Sequence, residues 1–351
     1  MRKFVVCALV MFAAAVASAA DLQLTKETLA DGVYLFRAPS DLDLWTATNV
    51  VAVVGDRDVT VFDTCTRPVT ARMVIAEIRK ITDKPVRTII NSHWHMDHWM
   101  GNAEFAKAYP GVEIIATEET RAYMQRMGNA FFSGSIAKGV ARRRADLANA
   151  TSDAQRKQLE DEIALYDAFA KESAEVPHVL PTLTYREELT FWRGKREFRL
   201  MSVVGDATGS TALFLPAEKI LVTGDALVHP ESGDGPPPWT TNSYAITPWL
   251  ATLRKFQALD ARVIVPGQGP AFHDEAYLDL TAELYQSILD QVHGAMERGL
   301  TTLADIQAAV NVDAIGLRYT PGATAPDPDF KRLVGVLTKK AAQEAFDGVE
   351  R

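Results

Sequence analysis

The chain has 351 residues, 47% of them hydrophobic and 23% charged, a composition that excludes a disordered or fibrous protein. Its formal net charge of -8 gives general nucleic-acid binding no electrostatic basis. Length alone allows one large domain or two medium ones.

In chain order, Arg2 and Lys3 precede the apolar run "FVVCALVMFAAAVA", and small residues follow at Ala19 and Ala20. This three-part layout predicts a secretory signal over residues 1–20. The expectation is an exported protein, periplasmic or secreted, with no stable membrane anchor after cleavage. Cys7 lies inside the apolar run, so the mature chain would keep Cys65 alone and form no internal disulfide. "GVYLFR", "NVVAVVGD" and "DVTVFDT" read as Val-rich strands bounded by turn residues. Pro68 opens a helix with Val69, Met73, Ile75, Ile78 and Ile81 as its apolar stripe. "VRTIINSH" is a buried strand that delivers a histidine cluster at its C-terminal end, followed by a short helix from Asn102 and the strand "VEIIAT".

From about 117 to 176 the chain reads as a helical insertion. Leu159, Ile163, Tyr166 and Ala170 share one helix face, and Ser152 and Gln155 have capping-box spacing. Strands resume at "ELTFWRGKREFRLMSVVGD", and "STALFLPAEKILVTGD" reads as a hairpin-like pair. "PWLATLRKFQAL" is a helix, "ARVIVPGQGP" a strand with its turn, and helices fill about 275–351. The strand-and-helix pattern occurs on both sides of the insertion. This predicts an α+β fold over residues 21–351, a four-layer αββα sandwich whose strand ends meet on one edge.

"NSHWHMDHWMGN", residues 91–102, places three of the chain's seven histidines and an aspartate in six positions. His93 and His95 are two apart and point the same way on an extended segment, with Asp97 and His98 just past them. Neutral imidazoles and a carboxylate suit borderline divalent metals.

"HWHMDH" resembles the HxHxDH signature of the metallo-β-lactamase superfamily. "DRDVTVFDTC", "VVGDATGSTALFLP", "ILVTGDALV" and "VIVPGQGP" resemble further segments of that family, in family order. The resemblance implies the αββα fold, one or two zinc ions, with Mn or Fe as alternatives, and metal-dependent hydrolysis of a small-molecule substrate. The bond would be an ester, lactone, thioester or β-lactam type, attacked by a metal-bound hydroxide. His93, His95, Asp97, His98 and Asp225 match ligand positions, with Asp225 bridging two metals and Asp97 also orienting the nucleophile or taking its proton. Two positions depart from the family: Asp206 and Gln268 stand where it has histidines. Asp206 adds a negative charge that favours harder ions, and Gln268 is a weak oxygen ligand, so the second metal should bind less tightly.

His229 and His273, close in sequence to Asp225 and Gln268, are weighed as substitute ligands. Trp45, Trp94 and Trp239 are expected around the substrate pocket. Cys65 fits a small buried residue better than a thiolate ligand. The two departures motivate an alternative reading, a catalytically weakened binding protein on the same fold.

Overall fold

The structure is a computed structural model that describes residues 24–38, 48–173, 176–232 and 245–349. The signal segment at 1–20, Trp45 and Trp239 lie outside the described residues. Among the described residues, no helix is long and apolar enough to cross a membrane.

Two sheets stack face to face. The first has seven strands in sequential order: β1 (Thr25–Ala30), β2 (Val33–Arg37), β3 (Val50–Val54), β4 (Val59–Phe62), β5 (Val86–Ile90), β6 (Glu113–Thr117) and β7 (Leu183–Tyr185). β1 to β4 pair antiparallel, and β4 to β7 run parallel. The second contains β8 (Glu188–Arg193), β9 (Arg196–Val203), β10 (Ser210–Leu215), β11 (Ile220–Val222) and β12 (Val263–Val265), in the order β12-β11-β10-β9-β8.

Three apolar clusters separate four layers. Leu35, Val51, Phe62 and Ile90 meet Leu200, Leu213 and Val222 between the sheets. α1 (Pro68–Ile81) and α2 (Asn102–Ala108) cover the outside of the first sheet through Val74, Ile78 and Phe105. α5 (Ile246–Gln257), α6 (Ala276–Glu297) and α9 (Pro328–Val349) cover the second through Trp249, Leu253, Tyr285 and Leu337. Short helices α7 (Leu303–Ala309) and α8 (Asp313–Tyr319) join α6 to α9. The αββα sandwich follows from the buried faces: each sheet is apolar on both sides and needs a cover on each.

α3 (Glu118–Ala148) and α4 (Asp153–Ser173) form a hairpin between β6 and β7. Tyr166 and Phe169 of α4 pack with Met124 and Ile136 of α3 against Trp99 and Met100, just past the histidines. Ser152 Oγ accepts from Gln155 N at 3.2 Å, while Gln155 Oε1 accepts from Thr151 N at 3.0 Å, so the reciprocal cap is shifted by one residue. The strand before the histidines ends at Ile90, and His93 and His95 lie on a loop that leads into a 3-10 turn at Met96–His98. Their common direction therefore comes from tertiary fixation rather than from strand alternation.

Cys65 is buried behind this loop against α1, with φ of 69°, the left-handed region that disfavours a β-carbon. The thiol joins no metal-ligand cluster among the described residues.

Candidate metal centre

The ligand-type residues lie on loops that leave the sheets along one edge. His93, His95, Asp97 and His98 follow β5, Asp206 lies in the β9–β10 turn, Asp225 follows β11, and Gln268 follows β12. Two glycines let these loops touch. A β-carbon on Gly205 would lie 2.5 Å from Ala226 Cα, and one on Gly267 would lie 1.8 Å from Asp225 Oδ1. Backbone hydrogen bonds complete the weld: Gly267 N donates to Gly224 O at 2.9 Å and Thr211 N to Ser92 O at 2.6 Å. Replacing Gly267 with alanine is expected to push Asp225 out of place. Overpacking of this kind costs about 1–3 kcal/mol, and zinc titration should show weaker binding alongside a lower Tm.

His93, His95, Asp206 and Asp225 bring ligand atoms within 4.8 Å of one another, and Asp97, His98 and Asp225 form a second such group. Asp225 belongs to both, the position of a bridging carboxylate. His95 Nδ1 lies 3.0 Å from Asp206 Oδ2, and His98 Nε2 lies 3.1 Å from Asp97 Oδ2 and 3.3 Å from Asp225 Oδ2. His93 Nε2, His98 Nε2 and Asp225 Oδ1 are buried yet make no hydrogen bond. Buried polar atoms without partners are rare. Atoms about 3.3 Å apart fit ligands that each stand about 2.0–2.2 Å from one divalent ion. The residues present therefore fit a metal.

Gln268 meets the second group differently. Its Nε2 donates to Asp97 Oδ2 and Asp225 Oδ2, at 3.2 Å each, while its Oε1 is buried without a partner. The amide ties two carboxylates together where an imidazole would offer a lone pair. The first group thus has four strong donors, and the second has three and an amide.

The electrostatics favour a cation. Against the cost of burial, Asp97, Asp225 and Asp63 push the His98 pKa well up. Burial, with His98 and His95 nearby, holds His93 well below its ordinary value, so it is a neutral imidazole. Burial raises Asp97, but His98, His95 and His93 outweigh it and hold that carboxyl far below the usual range. Burial raises Asp225, against the pull of His98.

Asp63 was not singled out from the sequence as a site residue. It follows β4, the parallel neighbour of β5, and is fully buried with φ of 58°. Its Oδ2 accepts from His98 Nδ1 at 2.7 Å and its Oδ1 from Ser92 N at 2.7 Å. Ser92 Oγ lies 3.0 Å from His93 Nδ1 and 3.1 Å from His98 Nδ1. These contacts engage the rear nitrogens of both rings and turn Nε2 toward the cluster. The detectable signal was an aspartate at the end of the strand adjacent to the histidine strand. Asp63→Asn keeps the shape and tolerates the left-handed backbone but removes the charge, and is expected to weaken metal binding about 10- to 100-fold in chelator competition.

His229 and His273 are not substitute ligands. His229 Nδ1 accepts from Glu231 N at 3.0 Å, and its ring stacks on Phe272 with centroids 4.5 Å apart. His273 is exposed and pairs with Glu27 at 3.2 Å. Neither joins the clusters. Closeness in sequence to Asp225 and Gln268 does not bring these rings into the clusters, because His229 stacks on Phe272 and His273 pairs with Glu27. Trp94 is half-buried beside the site, with centroids 4.3 Å from His95 and 5.4 Å from Tyr123 of α3. Trp99 is buried, with Nε1 donating to Trp94 O at 2.9 Å, and belongs to the packing of the loop.

Among curated proteins, the chain is 28% identical over 239 residues to a linear primary-alkylsulfatase of Pseudomonas sp. (strain ATCC 19151), covering 66% of this chain and 44% of that protein. It is 27% identical over 230 residues to the 2,4-dinitroanisole O-demethylase subunit alpha of Nocardioides sp. (strain JS1661), covering 64% and 54%. The chain thus spans about half the length of these relatives. A metallo-beta-lactamase from Pontibacter korlensis superposes with a TM-score of 0.52 at 17% identity, covering 75% of this chain and 99% of that one. The DIM-1 metallo-beta-lactamase gives a TM-score of 0.51 at 17% identity, covering 76% and 98%, and both likenesses concern the fold alone. The family model of the metallo-beta-lactamase superfamily matches residues 43–268, the stretch that carries every residue of both clusters, and the chain belongs to that superfamily.

Proposed function

We propose that the chain is a metal-dependent hydrolase of an ester, with the sulfate ester of an apolar alcohol as the leading substrate class. The observation that carries the reading is the pair of intact clusters around Asp225. Asp97, Asp206 and Asp225 converge there, and burying carboxylates without a counter-cation costs several kcal/mol per ion. A chain that had abandoned its metal would gain by losing them. This weighs against a catalytically weakened binding protein.

The alkylsulfatase relative supports a sulfate ester. The O-demethylase relative supports an aryl methyl ether as a second candidate. Both substrates join a polar oxygen to an apolar group. Trp94, Tyr123, Met96 and Met124, packed where α3 meets the ligand loop, supply an apolar wall for such a group.

A divalent cation held by the clusters, zinc with Mn or Fe as alternatives, would supply Lewis acidity and a water acidic enough to attack at neutral pH. Asp97 Oδ2 accepts from Thr48 Oγ1 at 2.9 Å as well as from Gln268. Held ionised, Asp97 orients the attacking water by accepting a hydrogen bond and is a poor store for its proton. The same proposal includes export through residues 1–20, testable by N-terminal sequencing of the secreted chain.

The test is elemental analysis of full-length protein purified without added metal, followed by an alkyl sulfate, an aryl ester, a lactone, a β-lactam and 2,4-dinitroanisole as substrates. One tightly held equivalent, a second only in excess zinc, and turnover of the alkyl sulfate are expected. Protein that neither retains metal nor binds added zinc would overturn the reading. Asp206→His with Gln268→His restores the family's ligand set. It is expected to tighten the second zinc at least ~tenfold and raise the hydrolytic rate. If the double variant is slower on every substrate, both residues are specialisations for this chain's own reaction.

A further inference from the structure

The α3–α4 hairpin meets the metal edge at two points, both on the first two turns of α3. Thr117 caps that helix, its Oγ1 accepting from Thr120 N at 3.0 Å. The same hydroxyl donates to Gly209 O, and Thr120 Oγ1 donates to that carbonyl as well, at 2.9 Å. Both threonines are buried. Beside them, Glu119 Oε1 accepts from Thr208 Oγ1. Gly209 has φ of 65°, and a β-carbon there would lie 2.6 Å from Glu119 Cβ, so the turn lies flush on the helix. Thr208 and Gly209 closely follow Asp206 in the β9–β10 turn.

The second point is one turn further along. Tyr123 follows Thr120 by three residues and shares its side of α3. Its ring stacks on Trp94, with centroids 5.4 Å apart and planes 21° from parallel. Trp94 in turn meets the ring of its chain neighbour His95 edge to face, with centroids 4.3 Å apart. One stretch of helix therefore bears on the segments that carry His95 and Asp206, whose Nδ1 and Oδ2 stand 3.0 Å apart. The other two ligand residues of the first group meet the sandwich's own loops, His93 at Ser92 and Asp225 at Gly267.

We propose that Thr120 and Tyr123 are positioning residues for the first metal group, holding His95 and Asp206 at the spacing one ion requires. The hairpin is then part of the metal centre as well as a wall for substrate. The physical reason is entropic: donors already held at that spacing lose less freedom when the ion binds. The proposal rests on the metal reading of these residues.

The experiment uses the full chain with Thr120→Val, Thr120→Ser, Tyr123→Ala and Tyr123→Phe, with folding checked by circular dichroism. Zinc affinity is measured by chelator competition, and the cobalt(II) form is followed by its visible absorption. Thr120→Val keeps the shape and leaves Gly209 O with the Thr117 hydroxyl, so no buried acceptor is orphaned. Direct partners of metal ligands are worth about 10- to 100-fold in affinity, and these contacts act one layer further out. Thr120→Val and Tyr123→Ala are therefore each expected to weaken the tightly held zinc about three- to tenfold and to alter the cobalt spectrum. Thr120→Ser keeps the hydroxyl and Tyr123→Phe the ring, and both should match wild type. A role in packing alone would lower the Tm of the apo and zinc-loaded proteins equally, whereas positioning predicts a smaller rise in Tm on adding zinc. Should Thr120→Val fail to fold, Glu119→Ala tests the same contact from its exposed side and should weaken zinc about two- to threefold. Zinc affinity and cobalt spectrum unchanged from wild type in the folded variants would overturn the proposal alone. Wild-type protein that binds no zinc would sink the metal reading, and this proposal with it.

Discussion

Asp225→Ala is expected to remove metal from both groups at once, because Asp225 is the residue they share. No other single ligand has this reach: His93, His95 and Asp206 belong to the first group, and Asp97 and His98 to the second. The change also leaves Gln268 Nε2 with one carboxylate acceptor in place of two. Metal Lewis acidity is worth several kcal/mol in a hydrolytic transition state, and each 1.36 kcal/mol is tenfold, so activity should fall by about 10³ or more. Elemental analysis beside kinetics separates the causes. A variant that kept two zinc ions and lost activity would mean that Asp225 acts on substrate rather than on metal. Asp206→Ala should spare the second group, leaving a weakly bound ion detectable by titration.

Chelation is expected to lower the Tm by about 8–16 °C. Metal binding stabilises the folded state by roughly 4 kcal/mol when free zinc is 1,000 times its Kd, and a chain of this size shifts about 2–4 °C per kcal/mol. The sign follows from the charges. Asp97, Asp206 and Asp225 are at least largely buried and close together, and without a cation the histidines and the hydrogen bonds from Thr48 and Gln268 offset their repulsion only in part. Differential scanning calorimetry with and without a chelator measures the shift, and restoring zinc should reverse it. An unchanged Tm would show that histidine protonation already balances the carboxylates, and that the edge holds its shape without an ion.

Most of the sandwich was readable in the sequence because both sheets bury two faces and their strands are runs of Val, Ile and Leu. β1 was missed because "TKETLA" is mostly polar and exposed, an edge strand held by pairing with β2 rather than by burial. β7 has three residues, too few for a period to show. α3 runs for 31 residues, yet its apolar residues do not recur at a steady helical spacing in the sequence, so only a change in character was visible. In the site, the histidine motif was legible by itself because its residues are contiguous. Asp206, Asp225 and Gln268 became legible only through the family's segment order. Asp63 escaped because its role depends on β4 lying parallel to β5, a pairing that spacing along the chain does not express.

The distribution of the two groups over the sheets has a consequence for how the protein is made. Residues 93–98 supply four donors, but Asp206 and Asp225 arrive more than a hundred positions later, after the whole α3–α4 hairpin. A nascent chain that has emerged only as far as β7 holds, of the two groups, His93, His95, Asp97 and His98, with no carboxylate from the second sheet to close either group. Capture of an ion by a complete group would therefore come late in folding, coupled to docking of the second sheet on the first. Until then the histidine segment would stand as an open set of donors, exposed to whatever ion it meets first.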